Sequence, residues 1–504
     1  MKILNAEQTR LADAYTIENE PIMSIDLMER ASEMCVRHLL KICGNKNRFV
    51  IFAGTGNNGG DGLAIARLLS KMGNQLSVYM VLFTNKLSVD CVMNKERLLN
   101  ETSVFYSEIE NIDNFPDSIS DNDVIIDAIF GYGLSRPVEG LAKLVITKIN
   151  ELPNCVISVD CPSGLFTEEN NPANQIIVKA NHTLTFQTPF LAFLFPENAS
   201  YTGELHVLDI KLHPGFLNEV PSNYYFIQND MIKSLIVRRE KFDHKGSFGH
   251  ALIVAGSKYK AGAALLAAKA CSVSGAGLVT AHIPDNLGLA FNISCPEVML
   301  VTDSHSDYMT HVNIPEKINA IGIGPGIGFN EETVAAVEQL ISESKYPMVV
   351  DADALTILSM HPEWIQKLPE NSILTPHPGE FDRLFGKSVN NYHRNKLQIS
   401  ISVTYKLYVI LKGAYTALSC PDGCCYFNST GNPGMANGGS GDVLTGILTG
   451  LLAQKYSPLN ACLIGVYLHG LAADIALKNN SGYSIVASDI ISNFQNAAGY
   501  CITN

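Results

Sequence analysis

A chain of 504 residues, 46% hydrophobic and 17% charged, exceeds what one ordinary core can bury, and its composition is that of a folded globular protein in two large units. A net charge of −13 argues against a nucleic-acid partner, so any phosphate the chain binds must be held locally. Its twelve cysteines lack paired metal-ligand spacing, and the adjacent Cys424 and Cys425 are no zinc motif; reduced thiols and a cytoplasmic location are expected.

The opening MKILNAEQTRLADAY has no apolar signal region, and before about Arg48 the residues Leu27, Met28, Ala31, Met34, Cys35 and Leu39 recur at helical spacing. Phe49–Ala53 then reads as an apolar strand, GTGNNGGDG fills residues 54–62, and residues 63–72 return to the helical period. Further strands are expected at residues 76–83, 124–127, 156–160, 183–186 and 205–210. Strands separated by helical stretches imply a parallel, doubly wound sheet that binds ligands at the carboxyl ends of its strands.

Gly54, Gly56 and Gly59 satisfy the dinucleotide fingerprint after a strand, yet the acid expected roughly 20 positions on is missing, because the next strand ends in Leu82, Phe83, Thr84 and Asn85. Ordinary hydride transfer is therefore disfavoured. Asn57, Asn58 and Asp61 crowd this loop instead, while Asp127 and Asp160 close two other strands, followed by AIFGYGLSRP and CPSG. Oxygens of Asn58, Asp127 and Ser163 suit a hard cation, which leaves Asp160 for proton chemistry. At each position alone, capping of a helix or turn is the competing reading. Cys161 reads as a small core residue.

Residues 221–245 loosen into a charged connector with RREK at residues 238–241, dividing the chain into domains 1–225 and 226–504. A second cycle begins with a strand at residues 250–255 and an Ala-rich helix at 262–274. Strands are expected at 279–283, 320–323, 348–351, 373–375 and 408–411, and a Pro-Asp-Gly turn at 421–423 marks a hairpin. GNPGMANGGSGD at residues 431–442 runs into an apolar helix at 443–454 that carries Leu444, Ile447, Leu448, Leu451 and Leu452 on one face. Glycines there let main-chain amides approach a phosphate, beside a helix amino terminus. Asp442 would either take a proton from a hydroxyl that attacks the phosphate or simply cap the helix, and the loop alone leaves both open. The apolar run at 459–477 is interrupted by His469 and Asp474, so no membrane span is expected.

AGTGNNGGDGLAIARLL, DAIFGYGLSRPVEG and SVDCPSGL resemble the motifs of the NAD(P)H-hydrate epimerase family across residues 1–220. The resemblance implies substrate contacts from Asn57, Asn58, Gly59, Gly60, Asp61, Gly131, Tyr132, Gly133, Leu134, Ser135, Arg136, Pro137 and Asp160, with Asp160 catalytic and potassium held by Asn58, Asp127 and Ser163. Cys161 departs from the aliphatic residue usual in that family, with its side chain expected to point away from the site. In the second half, KGSFGHALIVAGS, GPGIG, DADAL, TPHPGE, KGAYT and the residue 431–442 loop resemble the ADP/ATP-dependent NAD(P)H-hydrate dehydratase family, similar in fold to ribokinase-like kinases. That resemblance implies nucleotide contacts from Lys412, Gly413, Ala414, Tyr415, Thr416, Asn432, Gly434, Asn437, Gly438, Gly439, Ser440 and Gly441. It also implies substrate contacts from Ala263, Gly326 and His377, magnesium arriving with ADP or ATP, and Asp442 as general base. Thr356 departs from the Asn usual after DADAL.

The fold expected is therefore α/β throughout, with a Rossmann-like doubly wound parallel sheet followed by a ribokinase-like α/β domain. The activity implied is epimerisation of hydrated NADH or NADPH and nucleotide-driven dehydration of the S epimer, by a homo-oligomer with small-molecule partners and no membrane or nucleic-acid partner. The alternative is a vitamin-type kinase that releases a stable phosphoester and carries a non-catalytic binding module in its first half.

Overall fold

The computed structural model describes residues 1–44, 48–170, 175–480 and 482–503, and divides into two compact units, Lys2–Ser222 and Asn223–Asn504 with Met1. The first unit is a seven-stranded sheet of β1 (Phe49–Ala53), β2 (Leu76–Val81), β3 (Phe105–Ile109), β4 (Val124–Ala128), β5 (Val156–Val159), β6 (His182–Phe186) and β7 (Glu204–Leu208). Its order is β3-β2-β1-β4-β5-β6-β7, and every pairing is parallel. All five residues of β1 are buried, as a strand covered on both faces requires. Leu63, Ile65 and Leu69 pack with Cys35, Val36 and Leu39 on one face, and Val145, Ile146 and Ile149 cover the other. Strand order reverses between β1 and β4, so the crevice for a ligand opens at their carboxyl ends.

The helical stretch before Arg48 is two helices, Ala6–Asn19 and Ser24–Cys43, separated at Pro21, which has no amide to continue the first. Strand β2 stops at Val81, short of the expected residue 83. Strand β3 went unread because it is an edge strand with only Ile109 fully buried, and so lacks an apolar run.

The second unit holds β8 (Tyr224–Phe226), β9 (His250–Val254), β10 (Leu278–Ile283), β11 (Met299–Thr302), β12 (Ala320–Ile323), β13 (Met348–Val350), β14 (Ile373–Leu374), β15 (Tyr408–Leu411), β16 (Ala417–Ser419) and β17 (Cys425–Phe427). They form one ten-stranded sheet, β11-β10-β9-β12-β13-β14-β15-β16-β17-β8. It is parallel from β11 to β15, and the expected hairpin β16–β17 continues it antiparallel. The supposed connector is ordered at its start: β8 pairs with β17, and the helix Asn229–Leu235 follows. The run from 237 to 246, which includes RREK, is exposed.

The apolar helix begins at Ser440 rather than at residue 443, and packs its Leu444, Ile447, Leu448 and Leu451 into one core with Ala264, Ala267, Ala268 and Ala270 of the helix Ala261–Val273. Helix Pro458–Asn479 is long and apolar enough to cross a membrane, but 72% of that apolar window is buried inside the unit. Where parallel pairing gives way to antiparallel, the buried amide of Gln398 donates to the carbonyls of both Val409 (2.9 Å) and Ala417 (2.8 Å). Gln398→Leu removes these bonds while keeping the bulk, and should cost roughly 1–3 kcal/mol in a denaturant titration of the second unit, where an unchanged midpoint would count against the bridge.

Candidate active sites

In the first unit, the functional side chains expected from the sequence gather where strand order reverses. Asp160 follows β5 with φ 66°, a left-handed conformation that a non-glycine residue adopts only when its surroundings hold it there. Its amide donates to the carbonyl of Leu184, and its Oδ2 accepts from the amide of Tyr132 at 2.8 Å. Gly131 is glycine for a steric reason: a Cβ there would lie 2.4 Å from Asp160 Oδ2 and 3.3 Å from the Cβ of Asn58. Asn58, Gly131 and Asp160 are thus in contact.

Burial pushes the Asp160 carboxyl up from 3.8 to about 7; the Tyr132 amide opposes the shift and the charge of Asp13 adds to it. Asp61 is raised well above the usual range, first by burial and then by the charges of Asp160, Asp13 and Asp90. Asp13, which sequence reasoning missed, accepts from the Tyr132 hydroxyl at 3.1 Å and is raised to about 6 by burial. Nothing distinguished it from Glu7 and Glu18 on the same polar helix. Beside these acids opens a cleft of about 470 Å³ lined by Tyr132, Gly133, Leu134 and Ser135 together with Asn5, Glu7, Phe166 and Glu169. Arg136, Pro137 and Asn57 are exposed, while Gly59 and Gly60 are buried in the first turn of the helix Asn57–Lys71.

Of the three oxygen donors expected to hold a cation, Asp127 and Ser163 are in contact. Asp127 accepts from the Ser163 hydroxyl (2.6 Å) and amide (2.9 Å), the Ser158 hydroxyl (2.8 Å) and the Ile129 amide (3.3 Å). Asn58 donates to the carbonyl of Val159 at 3.2 Å, and its Oδ1 is buried without a hydrogen-bond partner among the described residues. An orphaned carbonyl oxygen beside a buried carboxylate and a serine hydroxyl fits a hard monovalent cation. Cys161 points away, into a cluster with Leu165, Ile177 and Phe190.

In the second unit, the helix Ser440–Ala453 is preceded by Gly439 at φ 94°, where a Cβ would also meet Leu266 at 2.7 Å. No side chain caps this helix, so its first-turn amides are left for an anion. Asp442 lies in that first turn and does not cap it. No hydrogen-bond donor reaches its carboxylate among the described residues, and burial raises it to about 6, reinforced by Asp351 and Asp353 and opposed by Lys412. Asp351, buried after β13, accepts from Lys412 Nζ and Thr445 Oγ1, both at 2.8 Å. Asp353 accepts from Lys260 Nζ and the amide of Gly328, both at 2.9 Å.

The glycine loop is tied to the long apolar helix by the two polar residues that interrupt it. His469, buried and lowered to about 4 chiefly by desolvation, donates from Nε2 to the carbonyl of Ser440 at 3.0 Å. Asp474 accepts from the amide of Gly431 (3.0 Å) and the side chain of Asn432 (2.8 Å). Asn437 donates to the carbonyls of Ile485 and Gly434, while Gly438 is exposed. Lys412 stands against Gly441, whereas Gly413, Ala414, Tyr415 and Thr416 turn between β15 and β16, closed by Thr416 bonding to Gly413. Ala263 abuts Gly326, whose carbonyl accepts from Ser257 at 2.7 Å. His377 caps the helix Pro378–Phe385, its Nδ1 accepting from the amides of Gly379 and Glu380, and its Nε2 lies 3.5 Å from Glu380 Oε1. Lys260, Asp351, Thr445, His469 and Asp474 were not among the expected site residues. For the last two the signal was present, as polar residues inside an apolar run.

Two family models match the chain: one described as YjeF-related protein N-terminus over residues 24–192, and one described as NAD(P)H-hydrate dehydratase over residues 251–496. The chain is 34% identical over 489 residues to the bifunctional NAD(P)H-hydrate repair enzyme Nnr of Thermofilum pendens, covering 95% of this chain and 92% of that one. It is 33% identical over 515 residues to the enzyme of the same name from Moorella thermoacetica, covering 97% and 95%. Among solved structures, a ribokinase-like superfamily protein from Enterococcus faecalis aligns with a TM-score of 0.50 at 26% identity, over 56% of this chain and 98% of its own.

The buried acids make stability depend on pH. Because Asp160 holds its proton more tightly folded than unfolded, its contribution is complete below 3.8 and is lost as pH rises through about 7. In potassium-free buffer, Asp160→Asn should recover up to roughly 4 kcal/mol of the first unit's stability at alkaline pH and none at acidic pH. Parallel stability curves for the two proteins would remove the charge argument.

Proposed function

The chain belongs to the family of bifunctional NAD(P)H-hydrate repair enzymes, and from that premise we propose how its two sites divide the work. The second unit takes ADP or ATP with magnesium and the S epimer of hydrated NADH or NADPH; the first interconverts the epimers. The observation that carries this reading is Asp442, a desolvated carboxylate without a hydrogen-bond donor, in the first turn of an uncapped helix behind a glycine loop.

Asp442 accepts the proton of the hydroxyl at C6 of the nicotinamide ring, and that oxygen attacks the terminal phosphorus of the nucleotide. The loop Asn432–Gly441 cradles the phosphates with its amides, and Lys412 adds positive charge. Hydroxide is a poor leaving group, whereas phosphate is a good one. The C6–O bond then breaks with help from the ring nitrogen lone pair, inorganic phosphate departs, and loss of a proton from C5 restores the reduced ring. Ala263, Gly326 and His377 hold the dinucleotide. Magnesium bound with the nucleotide would supply charge neutralisation on the phosphates, and the carboxylates of Asp351 and Asp353 would be the groups to face it, which leaves Asp442 for the proton.

In the first unit, Asp160 protonates the departing C6 hydroxyl and deprotonates the water that re-adds on the opposite ring face. A carboxyl near 7 suits both roles. Potassium, held by Asn58, Asp127 and Ser163, supplies local positive charge among these acids. The absence of disulfides from the described residues supports a reducing, cytoplasmic compartment, and the same reading carries a homo-oligomeric assembly, to be checked by light scattering.

Asp442→Asn should lower nucleotide-dependent recovery of NAD(P)H by about 100-fold or more while epimer exchange persists, and the parent rate should fall about tenfold per pH unit below about 6. Retained dehydration in that variant would dismiss the base, and a stable phosphoester in place of free phosphate would identify a small-molecule kinase. Asp160→Ala should slow exchange between epimers and leave repair of the S epimer intact; exchange at the parent rate would place the proton transfer on another residue.

A further inference from the structure

A second cluster of chemistry lies at the opposite end of the first unit's sheet from Asp160. His182 opens β6 and Glu204 opens β7, and the two are partners in the parallel register. His206, two residues on, projects to the same face as Glu204, the face covered by the helix Ser24–Cys43 that carries His38. His182 Nδ1 lies 3.1 Å from His206 Nε2 and 3.5 Å from Glu204 Oε2, and His206 Nε2 lies 3.9 Å from Glu204 Oε1. These ligand atoms all fall within 4.8 Å of one another.

Zinc–nitrogen bonds of 2.0–2.1 Å place neighbouring corners of a tetrahedron about 3.4 Å apart, and the separations of 3.1, 3.5 and 3.9 Å between these groups bracket that spacing. The other nitrogen of His206, Nδ1, lies 3.3 Å from His38 Nε2. Donation from Nδ1 to His38 would fix the tautomer in which His206 Nε2 turns a lone pair toward His182 and Glu204, as the outer partner of a metal-bound imidazole does.

We propose that His182, Glu204 and His206 bind one zinc-class divalent transition-metal ion, with water as fourth ligand and His38 positioning His206. The ion would cross-link β6 and β7 to each other. Magnesium and potassium prefer all-oxygen ligand sets and would not compete for two imidazoles, so the inference stands apart from the chemistry proposed for the two active sites.

The test uses the full chain without an affinity tag, freed of metal by a chelator and titrated with cobalt(II) in visible absorption and with zinc in calorimetry. The expected result is one equivalent bound, with the intense spectrum of four-coordinate cobalt. His182→Gln and His206→Gln should each weaken binding at least tenfold, and His38→Ala by about tenfold through the outer partner. Should His206→Gln fail to fold, His182→Gln decides. A weak six-coordinate cobalt spectrum, or affinity that neither glutamine substitution changes, would reduce the cluster to a hydrogen-bonded chain of histidines and overturn the proposal.

Discussion

Taking a carboxylate out of water costs several kcal/mol unless donors or a cation replace the solvent, and both sites are arranged around which acids receive that replacement. In the second unit Asp351 has a lysine and a threonine, and Asp353 has a lysine and an amide, while Asp442 has no donor among the described residues. In the first unit Asp127 has four donors and Asp160 one. The fully bonded acids are fixtures that hold loops. The poorly bonded Asp160 and Asp442 are pushed up to about 7 and about 6, close enough to neutral pH for a proton to be exchanged in the course of a reaction.

The same reasoning explains how a flexible glycine loop becomes a defined cradle. Residues 431–442 contain too little side chain to pack themselves, so their conformation is fixed from outside. His469 grips the carbonyl at the helix start, and Asp474 grips the amides at the loop start. Both come from one buried helix, Pro458–Asn479, whose otherwise apolar surface anchors it in the core. A neutral histidine suits its place, because it donates to a carbonyl without adding charge beneath the proposed phosphate site.

Much of this was legible in the sequence where one local rule governed the outcome. Buried parallel strands such as β1 and β9 announce themselves as unbroken apolar runs, and the loops after them carry the acids and glycines that face the crevice. What stayed hidden depends on residues distant in the chain. Asp13 is an ordinary helix acid until Tyr132 meets it, and Lys260 looks like a solvated lysine until Asp353 is placed beside it. Edge strands β3 and β11 were invisible because β3 buries only its last residue and β11 none, so neither shows an apolar buried run. The start of the Ser440–Ala453 helix was read three residues late, because a serine and a glycine conceal a first turn that a left-handed glycine initiates.

Strand β8 settles where the chain can be divided. It belongs to the second sheet, where it covers the outer edge of β17. A separated C-terminal piece starting inside the charged RREK stretch would bare that edge and invite strand-to-strand self-association. Severing the polypeptide between Ser222 and Asn223 keeps the edge shielded, so the natural seam for expressing either half alone lies upstream of the exposed, hydrophilic stretch that looks like a linker.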